Sequence, residues 1–279
     1  MTVLEVLQSC TAYFQKHDVE SPRLNAEHLL AHVLKRKRME LYLEFERALV
    51  EEELAPLREL VKRRGQGEPL QHLLGTVEFC GKVFLCDKRA LVPRPETEQL
   101  VEEIANGRLP NADCRILDVG TGSGVIALSL AAKFPEAKIT ATDMSEDALG
   151  LARENTARHG LEKKVVFLKS DLLEAVNGKF ELIAANLPYI STGVRPTLSR
   201  EVLHDPEAAL FAGERGTEMI SKLIAAARAH LSPGGVLALE LGIGQADEVA
   251  AEMEEKNYHD IEQIRDYSGV TRFLFGRYG

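Results

Sequence analysis

Three short segments carry the residue types that could bind a ligand or take part in a reaction. They are Asp118-Val119-Gly120-Thr121-Gly122-Ser123-Gly124, Asp143-Met144 and Asn186-Leu187-Pro188-Tyr189. Each one follows a short apolar run that is typical of a buried strand. Because the carboxyl ends of parallel strands meet at one edge of a sheet, we expect these segments to line a single crevice.

The glycine-rich segment predicts a tight turn between a strand and a helix, which a ligand can approach closely. It lacks the lysine of a Walker loop, and Val125 stands where a dinucleotide-binding loop would have its third glycine. A carboxylate at Asp118 would repel phosphate but can help to organise a site for a cation. S-adenosylmethionine has a sulfonium, an ammonium and no phosphate, and the pattern resembles motif I of the class I methyltransferases. A purely structural turn is the alternative. The residues predicted to hold this cofactor here are Asp118, Gly120, Thr121, Gly122, Ser123 and Gly124.

Asp143 ends the next predicted strand, about 20 residues beyond the glycine turn, where a carboxylate can accept both hydroxyls of a ribose. A helix-capping role for Asp143 is the alternative, but Ser145 is the better-placed cap. Met144 is included in the predicted cofactor site, and so is Asn186 of the third segment. A further candidate, Asp171-Leu172, follows the third strand region, where Asp171 could equally be a cap.

The asparagine segment suits a substrate with an amide or an aromatic amine. Such a nitrogen is a poor nucleophile, because its lone pair is delocalised. We expect the Asn186 side chain and the Leu187 backbone carbonyl to accept its two N–H groups, so that catalysis comes from positioning. Pro188 stiffens the loop, and Tyr189 can lie against a planar group. The alternative is a simple turn that ends the strand.

The surrounding elements predict an α/β protein with an additional helical part. Apolar stripes at helical spacing cover residues 1–65, with Thr2 and Glu5 as a capping box and Ser21-Pro22 as a second helix start. A hairpin over 77–85 and an extended stretch at 91–95 follow, and a helix is expected to begin at Thr97.

From residue 115 onwards strands and helices alternate, which predicts a mainly parallel sheet with helices on both faces. A long helix is expected over 217–231, ended by Ser232-Pro233-Gly234-Gly235. The fold class expected is therefore a Rossmann-like class I methyltransferase with a seven-stranded sheet and a small helical domain. The domains predicted are 1–65 (helical), 66–92 (linker with the hairpin) and 93–279 (catalytic).

Charge and composition argue against nucleic-acid, membrane and metal partners. The net charge is −9, which disfavours a broad nucleic-acid surface. There is no signal peptide and no apolar run long enough to span a bilayer, so we expect a cytoplasmic protein without membrane contact. The four cysteines form no CxxC pair, and His28 and His32 lack a third ligand, so we predict no metal site. We also expect a monomer.

Several segments together resemble the release-factor glutamine methyltransferases, the PrmC or HemK family, over nearly the whole chain. The segments are Ser21-Pro22-Arg23-Leu24-Asn25-Ala26-Glu27, Gly67-Glu68-Pro69-Leu70-Gln71, Val92-Pro93-Arg94-Pro95-Glu96-Thr97-Glu98, the Asn-Leu-Pro-Tyr loop, His204-Asp205-Pro206-Glu207-Ala208-Ala209-Leu210-Phe211, Arg265-Asp266-Tyr267 and Gly276-Arg277-Tyr278. The resemblance implies methylation of the glutamine of the Gly-Gly-Gln motif in bacterial class-one release factors, giving N5-methylglutamine. It also implies that Arg94 and Pro95 lie near the cofactor, that Asp171 and Leu172 contact its adenine, and that the helical domain helps to hold the release factor.

One departure from the family concerns the asparagine loop, which usually reads Asn-Pro-Pro-Tyr and here has Leu187. Asn-Leu-Pro-Tyr also resembles the ribosomal RNA adenine dimethyltransferases. Those enzymes have motif I near the N-terminus, whereas about 110 residues precede it here. A methyltransferase fold that only binds a ligand is a further alternative.

Overall fold

The computed structural model describes residues 1–107 and 113–279. The chain divides into two compact units. One, here called the helical unit, comprises Met1–Thr76 and Leu198–His204. The other, here called the sheet unit, comprises Val77–Thr197 and Asp205–Gly279.

Four helices and a 3₁₀ turn build most of the helical unit. They are α1 (Val3–Lys16), α2 (Pro22–Leu34), the 3₁₀ helix Arg38–Leu43, α3 (Glu51–Gly65) and α4 (Leu70–Leu74). A second 3₁₀ helix, Val202–His204, lies in the returning segment. Their apolar faces meet in one core, in which Leu7, Phe14, Leu29 and Leu41 are at most 1% exposed.

Helix starts in this unit follow the sequence in one case and depart from it in another. The Thr2 side chain accepts from the Glu5 backbone N–H, and the Glu5 carboxylate accepts from the Thr2 N–H, so the predicted capping box is confirmed. Ser21 does precede α2, but its backbone is left-handed (φ 47°) and its side chain makes no capping bond. The Asn25 side chain donates to the Ser21 carbonyl, which ties down the chain before α2 without capping the helix.

The remaining elements follow in chain order. They are β1 (Thr76–Phe79), β2 (Lys82–Leu85), α5 (Pro95–Ala105), β3 (Arg115–Val119), α6 (Val125–Lys133), β4 (Lys138–Asp143), α7 (Glu146–His159), β5 (Val165–Lys169), β6 (Phe180–Ala185), β7 (Ile190–Ser191), α8 (Glu207–Leu210), β8 (Phe211–Gly213), α9 (Glu218–Ala227), β9 (Leu231–Glu240), α10 (Ala246–Glu255), β10 (Tyr258–Arg265) and β11 (Thr271–Tyr278). A 3₁₀ helix, Thr192–Thr197, follows β7. In the described ranges no helix has the length and apolar character needed to cross a membrane.

The central sheet has seven strands in the order β10-β11-β9-β6-β3-β4-β5. The pairs β3–β4, β4–β5, β3–β6 and β6–β9 are parallel, and β11 runs antiparallel to both β9 and β10. The predicted seven-stranded, mainly parallel α/β fold is confirmed. Two apolar clusters cover the faces of the sheet, with Ile116 and Leu182 on one side and Leu117 and Ile183 on the other. This alternation follows from the two-residue period of a strand.

Two predicted helix bounds in this unit are wrong. Helix α5 begins at Pro95 and not at Thr97, because proline is well suited to the first helical position. Helix α9 ends at Ala227, and residues 232–235 lie inside β9. The register of β9 against β6 shifts in this stretch, so Pro233 falls in an irregularity where it need not donate a ladder hydrogen bond.

Candidate active site

The strand topology brings the three polar segments together. Strands β4 and β5 lie on one side of β3, and β6 lies on its other side. Successive strands are therefore added in opposite directions from β3, which makes the β3–β6 boundary a topological switch point. The carboxyl ends of strands at such a switch point border a crevice. A cleft with an empty volume of about 1050 Å³, including its open mouth, lies at this edge and is lined by all three segments.

The glycine turn after β3 is built to let a ligand reach the backbone. Gly120 and Gly122 have left-handed backbones, with φ of 73° and 55°. The N–H groups of Gly120 and Thr121 donate to the Thr142 carbonyl at 2.9 and 2.8 Å, which fixes the turn against the end of β4. A Cβ at Gly120 would lie 2.8 Å from the Leu187 side chain, so any other residue there would push on the asparagine loop.

Asp118 lies beneath the turn and does not line the cleft. Its side chain is completely buried, and its Oδ2 accepts from the Thr121 hydroxyl at 2.6 Å and from the Ala127 N–H at 3.1 Å. Its Oδ1 is buried and makes no hydrogen bond within the described part of the chain. Burial raises the pKa of Asp118 to about 7, in spite of the two hydrogen bonds. A cation nearby would favour the ionised form.

Asp143, at the end of β4, does line the cleft. Its two oxygens accept from the N–H groups of Gly122 and Ser145, both at 2.9 Å, and burial raises its pKa. Ser145 caps α7 by accepting from the Ala148 N–H, as the sequence predicts. Each carboxylate oxygen of Asp143 has a second lone pair, so the residue can still accept a hydroxyl from a ligand.

Met144, Asp171 and Leu172 line the same cleft after β4 and β5. Met144 is 53% exposed, and Leu172 has a left-handed backbone with φ of 46°. Together they offer two apolar side chains and one carboxylate. That combination suits a flat ring that carries an amino group.

The Asn186 loop lines the same cleft as Asp143. The Asn186 Nδ2 donates to the Thr97 Oγ1 at 3.0 Å, and no described residue donates to its Oδ1. Leu187 is 4% exposed and packs on the glycine turn, and Pro188 lines the cleft. The Asn186 oxygen is therefore free to accept from a substrate.

Tyr189 is held behind the cleft and does not line it. Its ring packs on the apolar cluster of β6 and β9, and burial raises the pKa of its phenol. Its carbonyl accepts from the Gln245 side chain at 3.0 Å. Gln245 also accepts from the Gly242 N–H at 2.8 Å, so it ties the end of the loop to the turn after β9.

The stretch before α5 is joined to the cleft wall by an ion pair that the sequence reading missed. Arg94 donates to the Asp205 Oδ2 at 2.8 Å, and the Val92 N–H donates to the Asp205 Oδ1 at 3.1 Å. The Asp205 side chain is fully buried. The residues that follow it, Pro206, Ala208 and Ala209, line the cleft. An acid between a histidine and a proline gives no local sign of this contact.

Most of the predicted site residues meet at the cleft. Those that line it are Arg94, Gly120, Thr121, Gly122, Ser123, Asp143, Met144, Asp171, Leu172, Asn186, Leu187 and Pro188. Those that do not line it are Asp118, Gly124, Pro95 and Tyr189. Gly124 instead lets α6 approach α7, since a Cβ there would lie 3.1 Å from that of Ala152. The cleft lining that the sequence reading missed includes Arg89, Thr97 and Met219.

The residues present fit a cofactor that carries a cation and a ribose. Asp118 has an unpartnered buried oxygen, Asp143 is a carboxylate at a strand end, and no lysine or arginine belongs to the glycine turn. In the part of the chain that the structure describes, no group of histidine, cysteine or acidic side chains could hold a metal ion.

The sheet, the glycine turn after its first parallel strand and the acid after the second define the class I methyltransferase fold. Residues 5–75 match the PrmC N-terminal domain, and residues 96–215 match the methyltransferase small domain. A solved relative by fold is the 16S rRNA N2 G1207 methyltransferase from Thermus thermophilus, in complex with AdoMet and guanosine. It has a TM-score of 0.54 and 20% identity, and the match covers 73% of this chain and 50% of that one.

Relatives of similar length give the family. The release factor glutamine methyltransferase of Chlorobaculum tepidum is 40% identical, over 98% of this chain and 96% of its own. That of Deinococcus radiodurans is 42% identical, over 99% of both chains. The chain belongs to the release factor glutamine methyltransferases, so it is a protein-glutamine methyltransferase. Its full-length similarity to this family does not favour the ribosomal RNA alternative.

Proposed function

We propose that this enzyme transfers the methyl group of S-adenosylmethionine to the side-chain amide nitrogen of the glutamine in the Gly-Gly-Gln motif of bacterial class-one release factors. The observation that carries the proposal is the Asn186 carbonyl oxygen, which lies free at the switch edge of the sheet beside the glycine turn. Family membership supplies the substrate class.

The cofactor is held by the ends of β3, β4 and β5. The glycine turn gives close backbone contact, and Asp143 accepts the ribose hydroxyls with the lone pairs that its backbone contacts leave free. Met144, Leu172 and Asp171 line the cleft beyond it, where the two apolar side chains would cover the adenine and the carboxylate would accept from its amino group. Asp118 supports the turn from below and places negative charge near the cationic end of the ligand. When bound, the cofactor supplies an electrophilic methyl group on its sulfonium.

The chain's own contribution to the reaction is to position a weak nucleophile. An amide N–H₂ group needs two acceptors to be held with its lone pair directed at the methyl group. The Asn186 Oδ1 and the Leu187 backbone carbonyl are those acceptors. As the bond between sulfur and the methyl group breaks and the nitrogen gains the methyl group, the N–H groups become more positive and both carbonyl contacts strengthen. One of these N–H protons is then released to water, which leaves the neutral N-methyl amide.

Leucine at position 187 keeps this arrangement without the usual proline. The acceptor at this position is the backbone carbonyl, which every residue has. The Leu187 side chain is buried and lies against Gly120, so packing replaces the ring in holding the loop. This supports activity with the family's loop changed at one position.

The proposed partner is the release factor itself, held in part by the helical unit. A substrate that works in translation places the enzyme in the cytoplasm. We propose that it acts as a monomer and makes no direct contact with nucleic acid, in keeping with its net charge of −9.

The test is transfer of a labelled methyl group from S-adenosylmethionine, with free release factor and ribosomal RNA offered separately to the purified enzyme. The proposal expects label on the release factor and none on the RNA. Label on the RNA alone would reverse the assignment, and tight cofactor binding without transfer to either would favour a binding protein.

A further inference from the structure

A buried acid lies behind the asparagine loop, at the carboxyl end of β9. Glu240 is 2% exposed, and its Oε2 has no hydrogen-bond partner within the described ranges. A buried carboxyl group with an unpartnered oxygen costs folding free energy. Neither the cofactor contacts nor the two carbonyl acceptors explain why an acid stands here.

The neighbours of Glu240 connect it to the substrate loop. Ala185 of β6 pairs with Leu239 of β9, so Asn186 and Glu240 directly follow paired residues at the same edge of the sheet. Burial raises the pKa of the Glu240 carboxyl group, and the nearby polar groups of Thr97 and Asn186 act to lower it. Thr97 is 3% exposed, and its Oγ1 accepts from the Asn186 Nδ2 at 3.0 Å. Helix α5, the loop after β6 and the end of β9 thus each contribute one member to a buried polar cluster.

The chemistry of this cluster fixes which end of the Asn186 amide faces the cleft. An ionised carboxylate can only accept, so it attracts the single hydrogen of the Thr97 hydroxyl. The Thr97 oxygen then presents a lone pair, which accepts from the Asn186 N–H₂. The N–H₂ end of Asn186 is thereby held towards Thr97, and its oxygen is left for the substrate.

We propose that Glu240 is a positioning residue that, acting through Thr97, holds the Asn186 amide with its oxygen towards the substrate amide. The inference rests on the proposed function, because only a substrate that donates N–H groups needs this orientation. A reversed Asn186 would set its own N–H₂ against that of the substrate and lose the contact.

The protonation state of Glu240 decides whether the cluster works. Burial raises its pKa to about 7. Arg272 on β11 acts against this shift and Glu96 on α5 adds to it, and the Tyr189 phenol also lies near the carboxyl. Protonated Glu240 can donate to Thr97, whose own hydrogen is then free to turn towards Asn186. The preferred orientation of Asn186 should therefore weaken as the pH falls through about 7.

The kinetic test uses substitutions in Thr97 and Glu240. Thr97→Val removes the hydroxyl, and Glu240→Gln replaces the acceptor with a neutral group of the same shape that can also donate. We expect each to lower kcat on free release factor by about tenfold while the Kd for S-adenosylmethionine stays within about twofold. Because both break one relay, the double variant should be little worse than either single variant.

Rescue separates positioning from loss of structure. Thr97→Ser restores the hydroxyl and should recover most of the kcat that Thr97→Val loses. Near-normal kcat in Thr97→Val or Glu240→Gln would overturn the proposal. So would equal losses in Thr97→Ser and Thr97→Val, or a double variant in which the two losses multiply.

A second test needs no methyl transfer. In protein labelled with ¹⁵N-asparagine, the side-chain amide signal of Asn186 is identified by its loss in Asn186→Ala and followed with pH. We expect a transition near pH 7 in the native chain and none in Glu240→Gln. A transition that persists in Glu240→Gln, or a flat signal in the native chain, would overturn the Glu240 proposal alone. Failure of the native chain to methylate release factor would instead contradict the proposed function.

Discussion

Asp118 and Asp143 end neighbouring strands of one sheet, yet their surroundings suit them to different tasks. Asp118 is completely buried, and one oxygen accepts from both Thr121 and Ala127, within the turn and the helix that follow it. Asp143 borders the cleft, and each of its oxygens accepts one backbone N–H. Asp118 can act on a ligand only through the turn and its charge, whereas Asp143 can touch it.

The assigned tasks of Asn186 and Asp143 predict opposite kinetic signatures. Asn186→Ala should lower kcat by at least about tenfold with little change in cofactor Kd, because it removes a substrate acceptor. Asp143→Ala should mainly raise the cofactor Kd, because it removes the ribose contact. Calorimetry with S-adenosylmethionine and steady-state kinetics give both numbers. Unchanged turnover in the first variant, or unchanged affinity in the second, would contradict the corresponding assignment.

The raised pKa of Asp118 predicts a pH-dependent stability. The folded-state pKa of about 7 exceeds the ordinary value of 3.8, so the folded chain holds an extra proton between these limits. Asp118 thus adds to the free energy of unfolding through its tighter hold on a proton in the folded state. This contribution is fully present below pH 3.8 and is lost as the pH rises through about 7. Its size is about 1.4 kcal/mol for each unit by which the folded pKa exceeds the ordinary value. Without ligand, the free energy of unfolding of Asp118→Asn relative to that of the native chain should therefore be larger at pH 8 than at pH 5. Denaturant unfolding at both pH values measures this, and a constant difference would contradict it.

At the scale of elements, the site depends on what the strand ends and α5 bring together. Helix α5 starts at Pro95 and thereby places Thr97 against Asn186, and the Asn186 loop in turn packs its Leu187 on Gly120. The glycine turn and the substrate loop are thus in direct contact. A substitution in the glycine turn should therefore alter the conformation of the substrate loop, and the reverse.

This contact can be tested at Gly120. Gly120→Ala puts a Cβ within 2.8 Å of Leu187 and also strains a backbone with φ of 73°. Gly160→Ala is a matched control, since its φ is 66° and nothing lies within 4 Å of the added Cβ. Both should lose about 1–2 kcal/mol of stability. Only Gly120→Ala should weaken cofactor binding, by about tenfold or more in calorimetry. Equal affinities in the two variants would show that the contact is unimportant.

The sequence predicts the site where its signals are local. The glycine turn, Asp143 and Asn186 each follow an apolar strand, so their types and positions point directly to a ligand edge. Thr97, Glu240 and Asp205 give no such signal, because each acts through a partner far along the chain. The contacts of Thr97 with Asn186 and of Asp205 with Arg94 join residues 89 and 111 positions apart.

The predicted end of the helix before β9 was wrong for a related reason. The Ser-Pro-Gly-Gly stretch at 232–235 has the composition of a loop, and on local grounds it ends a helix. In the structure β9 runs through it, because Leu231 before it pairs with Phe180 of β6 and Gly235 at its end pairs with Tyr278 of β11, and the register shift between them accommodates the proline. The pairing that decides the outcome comes from distant strands.

At the scale of the whole molecule, the helical unit is not a continuous piece of chain. Its segment Leu198–His204 comes from beyond the substrate loop. Arg64, only 4% exposed, donates to the Glu201 carboxylate at 2.5 Å, to the Asn25 Oδ1 at 2.7 Å and to the Glu68 carbonyl at 3.0 Å. This buried guanidinium fixes the returning segment to α2 and α3.

Removing the carboxylate should therefore loosen the helical unit. Glu201→Ala leaves the buried Arg64 without its counter-ion, although two neutral acceptors remain, and should cost about 1–3 kcal/mol. Glu51→Ala breaks the exposed pair with Arg58 and should cost much less than Glu201→Ala, because solvent screens exposed charges. The exchange rates of the α2 and α3 backbone amides are compared in the two variants, and we expect faster exchange in Glu201→Ala. Similar exchange in both variants would contradict a structural role for the buried pair.

The cleft is expected to methylate a glutamine side chain on a release factor. Mass spectrometry of the tryptic peptide that contains the Gly-Gly-Gln motif, after incubation with the enzyme and S-adenosylmethionine, tests it most directly. We expect a gain of one methyl group, located on the glutamine side chain, and almost none with Asn186→Ala. An unmodified peptide, or a methyl group on any other residue of it, would contradict the claim.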